Sequence, residues 1–567
     1  MKGSGQMPRK KKPKISKEER FRRRHYTSGR AVFRNIGFER IGSLSDREFT
    51  YDGSTGDFDD IYVGDNVVIL IEHTISAMGK VGDHLKKKHI LFQKIASDPL
   101  KFFDFLVSKS KEFADAVSTS YHRDNFIIRI VYNTVNPPSS VTKANVPEPI
   151  YMEYPNLKYF EKITGIAKLS TKKEVLQFLG IDPDDVGVNG AFPKKGASDP
   201  YDGSILPEAS SGFPKGFKVV SFYADPASLL ERAYVVRRDG WRGSSESYQR
   251  MLQKGKVEQI RKKLRTEKTV FINNLVATLP DNVHPVDEHG KTVDISKLTK
   301  TSPVKIGLPR SPNSLGVIDG QHRLYSYYVA KDDDPIIAGL RNNQNLLVTA
   351  VIFPGNLSTA ERERFEAGMF LNINSNQTNA PKALRQEIQT ILKPFGNEAI
   401  AKKVMQRLAD EGPLEGHVER FFYEQGLLKT TSIVSYGLAP LVKLSGTDSL
   451  FAKLTSETQE RLLDHDEAAL EDYVEFCKSA INEVLAAFKS QIGNARWVTD
   501  RNVPERVLTV TYINSFLILM RILIENGQST SGSVVRAKLG DIGKFKFKDY
   551  HSSQYNRMAQ DIFARYF

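Results

Sequence analysis

The apolar run Leu315-Gly316-Val317-Ile318 stops at Asp319-Gly320 and gives way to the helix-like Leu324-Tyr325-Ser326-Tyr327-Tyr328, with Gln321-His322-Arg323 in the turn between them. A strand that feeds directly into a helix is the building unit of mixed α/β architecture. It also leaves unsatisfied backbone N–H groups at the helix start, where the dipole is positive, and so forms an anion site. Gln321, His322 and Arg323 add side-chain donors, and an arginine grips phosphate in a two-pronged way. The same residues also fit a plain tight turn ahead of a surface helix, with Arg323 in a salt bridge.

Other segments alternate in the same manner. Val67-Val68-Ile69-Leu70-Ile71 follows the turn residues Gly64-Asp65-Asn66 and reads as a buried strand, as does Phe126 to Tyr132. Lys80 to Lys94 reads as a helix with Val81, Leu85 and Leu91 inward. Residues 183–216, rich in Pro, Gly, Ser and Asp, read as a linker and mark the main domain boundary. Beyond it, Lys218 to Phe222, Val270 to Ile272, Asn274 to Thr278 and Leu346 to Phe353 read as strands. Asp225-Pro226 opens a capped helix, Tyr248 to Leu264 is a basic helix, and Ser358 with Glu361 forms a capping box for a helix to Phe370. After about residue 391 the chain is mostly helical, most apolar from Val510 to Ile524. The predicted organisation is a disordered basic arm (1–30), an α/β domain (31–140), a connector and linker (141–215), a second α/β domain (216–390) and a helical domain (391–567).

Charge is unevenly placed. Residues 1–30 hold twelve Lys and Arg, among them Arg22, Arg23 and Arg24, against Glu18 and Glu19; ten of the fourteen net positive charges lie there. Such an arm binds polyanions, DNA foremost, through counterion release without reading sequence. No apolar run approaches bilayer length and the start of the chain is basic, which predicts a cytoplasmic protein with no membrane partner. Cys477 is the only cysteine, so internal disulfides and multi-cysteine metal sites are excluded.

Asp319 to Arg323 resembles the signature of the DGQHR-domain family, which includes the DndB-type proteins of DNA phosphorothioation systems and relatives near other DNA-modification genes. The wider resemblance is to the ParB/sulfiredoxin-like fold, whose Gly-x-[His/Arg]-Arg turn holds nucleotide phosphates, and it covers residues 216–390. It implies one site assembled from three segments. These are Asp319, Gly320, Gln321, His322 and Arg323; Gln249 and Arg250; and the amide-rich Asn372, Asn374, Asn376 and Gln377. In that site Asp319 would ligate Mg²⁺ or orient a water, His322 would donate to phosphate or carry a proton, and Arg323 would stabilise phosphoryl charge. The amide segment alone fits a loop of Asx-turns equally well. No Gly-x-x-x-x-Gly-Lys-[Ser/Thr] is present, so a P-loop motor is not expected.

The segment Asp57 to Thr74 resembles the core of PD-(D/E)XK nucleases, in which an Asp begins one strand of a hairpin and an acidic residue, a spacer and a Lys end the next. Asp59 or Asp60 matches the first position and Glu72 the second. Thr74 stands where the Lys belongs, and Lys86 or Lys87 on the following helix would supply the charge. The carboxylates would hold Mg²⁺ and the lysine would position water.

The overall expectation is an α/β (α+β) multidomain protein with a restriction-endonuclease-like N-terminal domain, a ParB/sulfiredoxin-like DGQHR domain and a helical C-terminal region. Three functions fit it. The first is a nucleotide-binding, ATPase-like protein using Mg²⁺ with ATP or another NTP, working on DNA with other proteins of a DNA-modification or anti-phage defence operon. The second is a Mg²⁺-dependent restriction-type endonuclease, and the third a DndB-like DNA-binding transcriptional regulator.

Overall fold

A computed structural model describes residues 15–117, 121–187, 198–235, 241, 251–375, 382–421 and 423–567. The protein is mixed α/β, with two mixed sheets and a helical C-terminal region. The chain divides into two compact units, residues 1–235 with 251–356, and residues 236–250 with 357–567.

The first unit opens with a helix, Lys17–Asn35, capped by Ser16, whose hydroxyl accepts from Glu19 N. The disordered arm expected over residues 1–30 is therefore corrected from Lys17 onward; residues 1–14 lie outside the described residues. The sequence shows twelve basic residues here but hides the anchor, because His25, Ser28, Gly29, Val32 and Phe33 are buried at helical spacing between the arginines.

Seven strands follow: β1 (Glu39–Arg40), β2 (Phe49–Tyr51), β3 (Ser54–Gly56), β4 (Asp60–Gly64), β5 (Val67–Thr74), β6 (Ile127–Thr134) and β7 (Ile150–Glu153). They form a five-stranded sheet in the order β1-β4-β5-β6-β7 and a separate β2-β3 hairpin. β4 and β5 pair antiparallel through a turn in which Asp65 takes φ +50°, whereas β5, β6 and β7 run parallel. Every residue of β5 is buried, as its unbroken β-branched run predicts for a central strand covered on both faces. The helix Met78–Ser97 crosses between β5 and β6 and buries Val81, Leu85, Leu91, Phe92 and Ile95 in the same core. The Lys17–Asn35 helix packs with Tyr154–Ala167, Ser28 Oγ donating to Glu161 Oε1 at 2.7 Å.

The second sheet holds β8 (Ser198–Ile205), β9 (Lys218–Ala224), β10 (Ala233–Tyr234), β11 (Leu275–Leu279), β12 (Ser302–Pro309), β13 (Leu315–Asp319) and β14 (Leu346–Ile352), ordered β10-β13-β11-β14-β9-β8-β12. The predicted linker is corrected here, since β8 pairs with β12 along its whole length. Pro200 disguises it. β9 reaches only Gly203 to Ile205, so the proline sits where β8 has a single neighbour and no second ladder to break. Gly203 permits the β9 approach, because a Cβ there would lie 2.5 Å from Ser221 O. Val270 to Ile272 forms no strand, and Ile272 is 90% exposed. The basic helix runs Lys254–Glu267, with Met251 to Gln253 non-helical before it, and the expected start at Tyr248 lies outside the described residues.

In the second unit the capping box forms as expected. Ser358 N donates to Glu361 Oε2 at 2.8 Å, Glu361 N donates back to Ser358 Oγ at 3.3 Å, and the helix Thr359–Ser375 follows. A core of Leu, Ile, Val and Phe side chains joins the helices Asn397–Asp410, Glu467–Ile492, Val510–Glu525 and Tyr555–Tyr566. Among the described residues, no helix is long and apolar enough to cross a membrane.

Candidate functional site

Asp59 and Asp60 are adjacent, the first just before β4 and the second its opening residue, and their carboxyls find different partners. Asp60, fully buried, receives His73 Nε2 at 2.9 Å, Arg30 Nε at 2.8 Å and the Arg40 guanidinium. Burial alone would raise its pKa; the hydrogen bonds from His73, Arg30 and Arg40 outweigh it and hold the carboxyl below its ordinary value. A carboxylate committed to two arginines and a histidine ring is a structural tie, so Asp60 is removed from the metal-binding candidates.

Asp59 faces the other way. Its Oδ2 accepts His73 N at 2.6 Å, and burial, then the nearby charge of Glu72, push its pKa up to about 6. Glu72, 5% exposed, stands on β5 across the hairpin. Its Oε2 receives Lys88 Nζ at 2.9 Å, and its Oε1 lies 3.4 Å from His84 Nε2. Lys88 Nζ also donates to Asp57 Oδ1 at 2.7 Å. Burial would lower the lysine's pKa, but Glu72 and Asp57 override it and keep the ammonium charged. His84 Nδ1 accepts from Tyr132 OH at 2.9 Å.

The lysine of this helix that reaches Glu72 is Lys88; Lys86 and Lys87, the two expected there, are exposed on its outer side. Helical spacing carries the signal. His84 and Lys88 are four apart and flank the buried stripe of Val81, Leu85 and Phe92, whereas 86 and 87 fall outside it. Thr74 is buried, and its hydroxyl donates to Ser76 Oγ at 2.8 Å rather than joining the carboxylates.

The Lys17–Asn35 helix reaches this hairpin through Tyr26, whose hydroxyl donates to His73 O at 3.1 Å and whose ring takes Arg22 and Arg30 at 5.4 and 5.9 Å. Burial first, and Asp59 next, raise its pKa to about 12. Arg22 and Arg23 pair with Glu19, and Arg24 is exposed. Beneath them His25 Nε2 donates to Asn133 O at 3.1 Å, and burial lowers its pKa to about 4.

Among the described residues no three His, Cys, Asp or Glu side chains form a metal cage. Asp59 and Glu72 nonetheless suit Mg²⁺, which commonly takes one or two protein carboxylates and keeps water or phosphate in its remaining positions.

The Asp319 corner turns on a glycine. Gly320 takes φ +95°, and a Cβ there would meet Leu275 Cδ2 at 2.4 Å, so only glycine turns this corner without strain. The helix after it, Gln321–Tyr325, has five residues and ends before the expected Tyr328. Arg323 NH2 donates to Asn274 O at 2.8 Å and to Asp319 Oδ2 at 3.1 Å. Its Nε is buried without an acceptor among the described residues. His322 Nε2 accepts from Gln253 N at 3.1 Å, and Gln321 is buried. The corner is therefore tied to its own strand neighbours, as in the plain-turn alternative.

No family model, no curated protein and no solved structure matches the chain.

Gln249, Arg250, Asn376 and Gln377 lie outside the described residues. Asn372 and Asn374 are on the Thr359–Ser375 helix of the second unit, so the Asx-turn loop is corrected to helix as far as Ser375.

Proposed function

We propose that this chain is a Mg²⁺-dependent DNA endonuclease of restriction type, with Asp59, Glu72 and Lys88 as its catalytic set. One observation carries the reading: a buried glutamate on the second strand of the hairpin meets a lysine from the following helix, and Asp59 lies immediately before the first strand. That is the acid–acid–lysine combination the PD-(D/E)XK resemblance calls for, with the lysine relocated.

Each residue has a distinct role. Asp59 and Glu72 hold the cation, which when bound polarises the scissile phosphate. Lys88, kept charged by Glu72 and Asp57, orients the attacking water and offsets negative charge at the phosphorus. His84, within 3.4 Å of Glu72, orients that carboxylate. The exposed Arg20, Arg23 and Arg24 supply phosphate contacts beside Tyr26, and so support DNA as the partner.

The test is plasmid cleavage with Mg²⁺ by wild type, Glu72→Gln and Lys88→Ala. Loss of nicking in both variants supports the reading. Intact plasmid from wild type across Mg²⁺ and Mn²⁺, on modified and unmodified DNA, rejects it.

Nucleotide binding at Asp319 to Arg323 ranks second. The unpartnered Arg323 Nε favours it, while the ties of Arg323 to Asp319 and Asn274 weigh against it. Binding of ATP that is lost in Arg323→Ala would restore it.

A further inference from the structure

The helical unit carries a cleft of ≈ 440 Å³ between a loop around residues 419–429 and another around 499–510. Three cations line it, Lys429, Arg501 and Arg506, against one carboxylate, Glu419. Elsewhere in this unit arginines find acidic neighbours: Arg407 with Glu471, Arg420 with Asp410, Arg461 with Asp466, Arg496 with Glu505 and Arg521 with Asp448. The three in the cleft pair with no carboxylate among the described residues; Arg506 instead donates to Thr499 O.

The two loops that bear these charges are anchored at their ends. Trp497, 2% exposed, donates from Nε1 to Pro413 O at 2.8 Å, and Val507 N donates to Arg496 O at 2.7 Å, which pins both ends of the loop that bears Arg501 and Arg506. The opposite loop is closed by Leu428 N to His417 O at 2.8 Å and Glu419 N to Leu428 O at 2.9 Å. Like charges fixed around one concavity raise its potential and favour an anion. The sixteen-residue helix Val510–Glu525 starts in the same wall with Thr509 as its cap, and adds its positive end. Leu428 and Leu508 supply apolar wall, and the volume lies within the range of small-ligand sites.

From this arrangement we propose that the cleft binds a phosphate ester of nucleotide size, with Arg501, Arg506 and Lys429 on the phosphate and the leucines against the organic part. The inference is independent of the endonuclease reading, since none of its residues belongs to that site.

The experiment is isothermal titration of the full chain, at constant ionic strength and without divalent metal, using AMP, ATP and inorganic phosphate. Both nucleotides should bind, and more tightly than phosphate. Arg501→Ala with Arg506→Ala should weaken them by about 10- to 100-fold, the scale of lost charge-assisted hydrogen bonds. Glu419→Gln, a change that preserves shape, should tighten binding a few-fold, and Arg323→Ala should leave it unchanged. Absence of binding, indifference to the paired arginine variant and to Glu419→Gln, loss in Arg323→Ala, or phosphate binding as tightly as AMP would each overturn the proposal. DNA cleavage should persist in the cleft variants, so failure of one reading is separable from failure of the other.

Discussion

Lys88 Nζ lies 2.9 Å from Glu72 Oε2, so a helix side chain delivers to the glutamate the positive charge that Thr74, two residues along the same strand, does not. Replacing Lys88 with Ala should lower plasmid cleavage by about 10²- to 10³-fold, the usual effect of removing one electrostatic stabiliser. Lys86→Ala, on the outer side of the same helix, should cleave like wild type. A gel-based nicking time course separates the two.

Asp59 and Asp60 should fail in opposite ways. Asp60→Asn removes the shared partner of His73, Arg30 and Arg40 and should cost about 2–4 kcal/mol in urea unfolding. This is less than the full penalty of stranded buried charge, because the two arginines keep 38% and 32% of their side chains in water. Asp59→Asn should abolish cleavage while leaving the metal-free protein as stable as wild type or more so.

The pH dependence carries its own signature. A carboxyl raised to about 6 favours the folded state when protonated, so its contribution is present at low pH and lost as pH rises from about 4 to 6. His25, lowered to about 4, acts in reverse: its contribution is present above pH 6.5 and lost as pH falls toward 4. Each is worth roughly 3 kcal/mol at most, and they oppose one another over the same interval. In chelator, wild type should therefore show a shallow melting-temperature profile between pH 4 and 6.5, and Asp59→Asn a steep fall on acidification. Parallel profiles would disprove the assignment.

Gly320→Ala should destabilise the first unit by roughly 2–4 kcal/mol, combining a left-handed backbone with a Cβ 2.4 Å from Leu275 Cδ2. Thermal unfolding measures it directly.

Much of this architecture could be read from residue patterns, and the exceptions have physical causes. Val67 to Ile71 and Leu346 to Ile352 declared themselves because buried strands need consecutive β-branched and aliphatic residues. Ser358 and Glu361 declared the start of a helix. β8 did not, since a strand pinned by Asp199 to Arg232 and Arg310 at one end needs little apolar content. The basic arm looked solvated because its anchoring residues are small or polar: His25, Ser28 and Gly29. At the hairpin, the resemblance pointed to Glu72 and to Asp59 or Asp60 without choosing between the two aspartates. Lys88 was not visible, because its partner is sixteen residues away and only the helix phase brings it back.

The division of labour between the neighbouring aspartates rests on the hairpin turn. Asn66 clamps that turn from its side chain, donating to Asn125 O at 2.8 Å and Asp185 O at 2.9 Å and accepting from Gly187 N at 2.9 Å. Were β4 to slide by one residue against β5, every side chain would change face. Asp59 would fall among the arginines and Asp60 would stand before Glu72. The remote amide of Asn66 is in that sense the part of the molecule that decides which carboxylate becomes a girder among the arginines and which is left out of that tie.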